Sequence, residues 1–314
     1  MGAFLGIDTS NYTTSSAVYF GIDKPPVNVK RLLPVKDGEC GLRQSDAVFL
    51  HTKSIEEIIC TALSACNERI EAIGVSVKPR DVEDSYMPCF LVGKSHAGVL
   101  SKALNVPVYE FSHQAGHIMA CVQDTGDFSL LESDFIAFHV SGGTTEALLV
   151  SPSEDNIIST KIIGETLDLN AGQTIDRVGK MLGLSFPAGK ELDALSLNGE
   201  IKVKSIHPSV KGNNCCLSGV VNLCENMLIK GESNENIARF CIEYIKLTVD
   251  KMTENILNEY GDLPLVYAGG VMSNSIVSKY LTEKYNARFA SPASSCDNAI
   301  GVATLASFKH NLKK

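Results

Sequence analysis

No two of the ten cysteines in this 314-residue sequence form a CxxC pair, so a zinc ribbon is excluded. Most of them stand in apolar stretches, where a free thiol behaves as a small hydrophobe. No run approaches about 18 uninterrupted apolar residues, and none is expected to cross a membrane. The opening Met1 to Asp8 stretch lacks a basic region and meets an acid after a short apolar run, so it does not read as a signal peptide. Reduced-type cysteines without an export signal point to the cytoplasm. Positive charge is also short, with a formal net charge of -8. That excludes a uniformly basic surface, so a nucleic acid would have to meet a local patch or be held through a partner protein. Low-complexity tracts and long linkers are missing as well. What remains, 44% hydrophobic and 20% charged residues, suits a large core and leaves room for two domains.

Residues 3 to 8 form an apolar run ending in Asp-Thr-Ser, and residues 15 to 20 form a second, which predicts a β-hairpin with a polar tip. The layout recurs at 135 to 150, where Phe-Ile-Ala-Phe-His-Val140 leads through Ser-Gly-Gly-Thr-Thr145 into Glu-Ala-Leu-Leu-Val150. Two such units suggest a duplicated nucleotide-binding lobe. Between them, helices are expected over 54–67 and 92–104 and strands over 70–77 and 106–109, an alternation that implies parallel strands. Helices are expected again over 172–200 and 218–259, then a strand over 264–268 and a last helix near 297–308. The reading is α/β, with two lobes that grip a nucleotide's phosphates between the two hairpins.

In the first hairpin Asp8 offers a carboxylate, and Thr9, Ser10, Thr13 and Thr14 offer donors for phosphate oxygens. In the second, Ser141, Gly142 and Gly143 let backbone N–H groups approach an anion, and Thr144 and Thr145 add hydroxyls. His113 and His117, at i and i+4, share one helix face where both imidazoles can meet one metal ion. Gln114 follows the first histidine where a zinc protease needs its glutamate, which excludes that chemistry. Asp297, after a loop of small residues, is a candidate third ligand, although a helix-capping role explains it equally. Two histidines and a carboxylate suit iron(II), zinc or manganese alike. Asp176 with Arg177 and Lys180 could hold a ribose or phosphate, and Gly269, Gly270 and Asn274 follow a strand where an adenosine could lie.

Taken in order, these motifs resemble the tRNA threonylcarbamoyladenosine synthase family, once known as glycoproteases of the M22 type, within the actin, sugar-kinase and Hsp70 superfamily. The resemblance spans nearly the whole chain and includes Leu-Val-Gly-Lys-Ser-His-Ala-Gly98, the HxxxH, Gly164-Glu-Thr and Gly-Gly-Val-Met-Ser-Asn274. It implies a two-lobed actin-like ATPase fold, related to ribonuclease H, with duplicated lobes at 1–118 and 119–296 and a C-terminal helix, 297–314, packing back on the first. It also implies one divalent metal on His113, His117 and Asp297, with Asp8, His113 and His117 in catalytic roles. Adenine nucleotide, as ATP or threonylcarbamoyl-AMP and with magnesium as a further option, would contact His139, Val140, Ser141, Gly142, Gly143, Thr144, Asp176, Gly189, Asp193, Gly269, Gly270 and Asn274. The implied reaction moves threonylcarbamoyl from its adenylate to N6 of the adenosine beside the tRNA anticodon. Partner proteins of that pathway would make the adenylate.

The chain also departs from the family. Asn11-Tyr12-Thr13-Thr14 stands where Cys-Asp-Glu-Thr is expected, so an acid is missing, and 78–88 replaces a Gly-Pro-Gly loop with a charged segment. Thr144 takes the place of a histidine, Leu169 of an aspartate and Gln173 of a glutamate. These changes mark a divergent paralogue. They leave open two alternatives, a carbamoyl or acyl transferase acting on another acceptor and a nucleotide-binding regulatory subunit with little turnover.

Overall fold

The computed structural model describes residues 2–10, 12–34, 42–201, 205–291, 294 and 299–313. Contacts divide the chain into two units, Met1–Ser133 with Ser151–Thr160 and Ser294–Lys314, and Asp134–Val150 with Lys161–Ala293.

In the first unit β1 (Ala3–Ser10) pairs antiparallel with β2 (Thr13–Tyr19), and β2 with β3 (Val27–Leu32). After α1 (Gln44–Ser64), β4 (Ile70–Lys78) returns parallel to β1. Then α2 (Phe90–Leu104) leads to β5 (Val108–Ser112), parallel to β4, and directly into α3 (His113–Thr125). Strands β1 and β2 are buried at every position, which is why they read as continuous rather than alternating runs. Helix α1 begins ten residues before the expected Ser54. Ala47, His51 and Ser54 extend its buried face, and such small or polar residues carry little hydrophobic signal.

The second unit opens on β6 (Phe135–Val140), antiparallel to β7 (Thr145–Ser153), followed by β8 (Ile157–Glu165). Then come α4 (Ala171–Met181), α5 (Gly189–Ser196), a small hairpin of β9 (Ser209–Lys211) and β10 (Asn214–Cys216), α6 (Ser218–Ile229) and α7 (Asn234–Tyr260). Parallel strands β11 (Leu265–Ala268) and β12 (Arg288–Phe289) flank α8 (Ser275–Tyr285). The two large sheets have the orders β3-β2-β1-β4-β5 and β8-β7-β6-β11-β12, one pattern built twice. This is the duplicated actin-like lobe that the resemblance implies. Tyr267 of the second sheet stacks between Phe138 and Phe289, at centroid distances of 4.9 and 5.1 Å.

The last helix, α9 (Ile300–Leu312), belongs to the first unit and lies close against its sheet. A Cβ on Gly74 would overlap the Val302 carbonyl oxygen, and one on Gly301 that of Gly116 in α3. The expected division at residue 118 falls inside α3, whose buried residues run unbroken from Gln114 to Val122. Contacts place the whole of α3 and the 151–160 segment in the first unit instead.

Candidate functional site

The first unit brings together residues far apart in sequence. Strand β5 ends at Ser112, whose hydroxyl accepts the Ala115 N–H at 3.1 Å and caps α3. His113 and His117 therefore occupy the first helical position and the one a turn later. Their Nε2 atoms stand 2.9 Å apart. On its other ring nitrogen His113 meets Asp8, with Nδ1 at 2.7 Å from Oδ2. Asp8 is buried at the end of β1 and is held by two further donors, the Ser76 hydroxyl at 2.6 Å and the Ser10 N–H at 2.8 Å. A carboxylate on one imidazole nitrogen fixes the ring and the tautomer that leaves the other nitrogen to a ligand. The donor set thus fits two ligands of a divalent metal. Asp297 lies outside the described residues. Among the described residues no group of three histidine, cysteine or carboxylate side chains is placed to hold a metal.

Two of the four hydroxyls expected to serve phosphate from the first hairpin, those of Thr9 and Thr14, are engaged by residues of the neighbouring helices and the turn before α2. Thr9 donates to the Cys89 carbonyl at 2.9 Å and accepts the Gly93 N–H at 3.1 Å, while Thr14 meets His51 Nδ1 at 2.8 Å. Ser10 and Thr13 are a paired step of the β1–β2 ladder and are buried. The reason is that the strands continue through the predicted tip, so Thr9 and Thr14 meet the helices packed on their own sheet. Burial lowers the His51 pKa, although the Ser10 carbonyl and Asp8 charge oppose it. Burial, with the Asp8 charge adding, pushes the Cys89 thiol up to about 12.

The second unit places Ser141 to Thr144 as a tight turn between β6 and β7. The Ser141 N–H donates to the Thr144 carbonyl at 2.7 Å, and the Ser141 hydroxyl oxygen accepts the N–H groups of Gly143 and Thr144, each at 3.2 Å. The Thr144 hydroxyl lies 3.1 Å from both Ser141 Oγ and His139 Nδ1. Open space surrounds the Cβ positions of Gly142 and Gly143. The start of α4 packs against this turn so closely that a Cβ on Gly172 would stand 2.6 Å from the Gly142 nitrogen. Gln173, in the place of the family's glutamate, accepts the Asn170 N–H at 3.3 Å and closes that first turn. The turn is a glycine-bearing bend backed by the start of α4.

The remaining candidates take positions in the second unit with partners of their own. Asp176 accepts the Ala188 N–H at 2.8 Å, and burial raises its pKa against that bond. Asn274 caps α8 through its carbonyl oxygen and donates to Asp193 Oδ1 at 2.8 Å. Gly189 opens α5 and Gly270 faces open space, whereas Gly269, at φ +100°, lies against the Val140 carbonyl. Asp168 caps α6, accepting from Leu217 N at 2.7 Å and Ser218 Oγ at 2.6 Å. Sequence reasoning missed Ser76, His51 and the Asp8–His113 contact. No local pattern marks a contact between residues 105 positions apart.

Residues 44–303 match the family model described as TsaD, tRNA N6-adenosine threonylcarbamoyltransferase. A protein of that name from Mycoplasma capricolum is 32% identical over 286 residues, covering 85% of this chain and 85% of that protein. Another from Streptococcus pneumoniae is 34% identical over 235 residues, 71% of this chain, and the chain spans only 65% of that protein's length. Among solved structures, full-length HypF in its phosphate- and nucleotide-bound form superposes with a TM-score of 0.60 at 14% identity, over all of this chain and 56% of HypF. That likeness carries the fold alone.

Proposed function

The chain belongs to the tRNA N6-adenosine threonylcarbamoyltransferase family, and from that membership we propose that it transfers threonylcarbamoyl from threonylcarbamoyl-AMP to N6 of the adenosine beside the tRNA anticodon. The observation that carries this reading is the pair of Nε2 atoms 2.9 Å apart with Asp8 fixing one ring from behind. A divalent ion on His113 and His117, with Asp297 as the third donor that the resemblance implies, would act as a Lewis acid toward the acyl phosphate. The chain's own residues supply the rest. Asp8 orients His113, and Ser76 and the Ser10 N–H hold Asp8 in turn. The Ser141–Thr144 turn offers its glycine backbone and hydroxyls to the phosphate that departs with AMP. Asp193 and Asn274, bonded to each other, and Asp176 are assigned to the nucleoside, on the family pattern.

A second reading, transfer to another acceptor, is favoured by the 78–88 segment, where charged residues and the exposed Val82 and Tyr86 replace glycines. The Ser112 hydroxyl donates to Asp81 at 2.8 Å, and the Arg80 N–H to Ser85 at 3.0 Å, so the segment is tied down rather than trailing.

AMP release from synthetic threonylcarbamoyl-AMP, followed with and without tRNA, separates the readings. The transferase reading expects release that rises with added tRNA. Release indifferent to tRNA would move the acceptor elsewhere, and tight AMP binding with no release would leave the regulatory reading.

A further inference from the structure

The end of β4 reaches the histidine pair by two routes. Ser76 donates to Asp8 at 2.6 Å, and two residues on, after a register shift in the β4–β5 ladder, Lys78 is the ladder partner of Ser112. The chain then turns over the start of α3. The Pro79 carbonyl accepts the Gln114 N–H at 3.0 Å, and Asp81 Oδ2 accepts the Ser112 hydroxyl at 2.8 Å. Lys78 Nζ, 3.3 Å from Asp81 Oδ1, ties the turn together.

These contacts answer a need of the helix start, whose first N–H groups have no partner within the helix. Pro79 takes the N–H of Gln114, the second helical residue, and Ser112 Oγ takes that of Ala115, the third. Because the Ser112 hydroxyl donates while it accepts, Asp81 fixes the orientation in which Ser112 caps the helix. Helix ends fray, and His113 is the first residue of this one. Its ring nonetheless meets Asp8 Oδ2 at 2.7 Å and His117 Nε2 at 2.9 Å at the same time. Glycines in the 78–88 segment would bring no side chain to this cap.

We propose that Asp81 is a positioning residue for the His113–His117 pair, holding through Ser112 the first turn of α3 where both imidazoles face one ion. The role rests on the reading of the pair as a metal site. It gives the charged segment a task at the ligands, separate from any contact with the acceptor.

The test is the zinc affinity of the full chain by chelator competition, with the visible spectrum of the cobalt(II)-loaded chain reporting ligand geometry. Asp81→Ala is expected to weaken zinc by about 10-fold and to change the cobalt spectrum. Asp81→Asn, which keeps an acceptor for Ser112, should restore most of both. Ser112→Ala should weaken zinc as much as Asp81→Ala, and combining the two should cost nothing further, since both act along one line. Circular dichroism checks the fold of each variant. Unchanged zinc affinity in Asp81→Ala overturns the proposal, and so does an equal loss in Asp81→Asn, which would trace the effect to charge alone. A raised KM for tRNA with zinc affinity unchanged also overturns it and places Asp81 at the acceptor. Failure of the natural chain to bind zinc overturns the metal-site reading and the proposal with it.

Discussion

Asp8 shows how much rests on one side chain. It accepts three hydrogen bonds, from Ser76, the Ser10 N–H and His113, and its substitution by asparagine keeps the shape while weakening all three. We expect Asp8→Asn to lower affinity for zinc, measured by chelator competition, by about 10–100-fold while leaving the fold intact. Unchanged affinity would mean that His113 needs no partner to bind. Asp168 is the structural counterpart. Burial works to raise its pKa, but bonds from the Ser218 hydroxyl and the Leu217, Leu169 and Ser218 N–H groups hold it below the ordinary value. A carboxyl lowered in the folded state adds stability above its unfolded pKa, near 3.8, and loses it as pH falls through the lower folded value. Because Asp168 is exposed, Asp168→Asn should cost no more than about 1 kcal/mol at pH 7, a difference that vanishes in urea melts at about pH 2–3.

Among elements, α9 was legible in sequence as a helix but not in its closeness to the sheet. Small residues at Gly301, Ala303 and Ala306 read as unremarkable apolar positions, yet they admit the backbone of α3 and of β1 and β4. Gly301→Ala should cost about 3 kcal/mol or more, seen as a fall in thermal midpoint. Gly98, exposed in α2 with nothing near its Cβ position, gives the contrast, and Gly98→Ala should leave stability unchanged or raise it by up to about 1 kcal/mol. The hairpins were legible because buried strands ending in hydroxyls and glycines are short-range patterns. Strands β3 and β8 were not, since β3 is half exposed and β8 mixes exposed with buried positions. The stretch over 218–259, expected to be helix-rich, holds α6 and α7, parted at Lys230 to Ser233, where Gly231 takes φ +78° and Ser233 caps the next helix. Helix α1 carries His51, buried and with its pKa lowered below 6.5. A histidine lowered on folding favours the unfolded chain as pH falls below 6.5, so stability should drop from about pH 7 to 5. His51→Gln should flatten that part of the profile, measured by thermal melts across pH.

For the molecule as a whole, the sequence carried the duplicated lobe and the order of motifs, because each motif is local and their succession follows the chain. It did not carry what depends on distant contacts. The Asp8 to His113 bond, the Asp193 to Asn274 bond and the closure of the first hairpin's hydroxyls on Cys89, Gly93 and His51 all join residues brought together by folding. The departures at Thr13 and Thr144 now differ in meaning. Thr13 is a buried ladder residue with no acid nearby on its own strand, whereas Thr144 is bonded to a histidine five residues earlier. His113, in the proposed function, serves threonylcarbamoyl transfer to tRNA. The most direct test of that role is mass spectrometry of nucleosides from tRNA incubated with threonylcarbamoyl-AMP, metal and either the natural chain or His113→Ala. The expected result is threonylcarbamoyladenosine with the natural chain and at least about 100-fold less with the variant; no product from the natural chain, or equal product from both, would contradict that role.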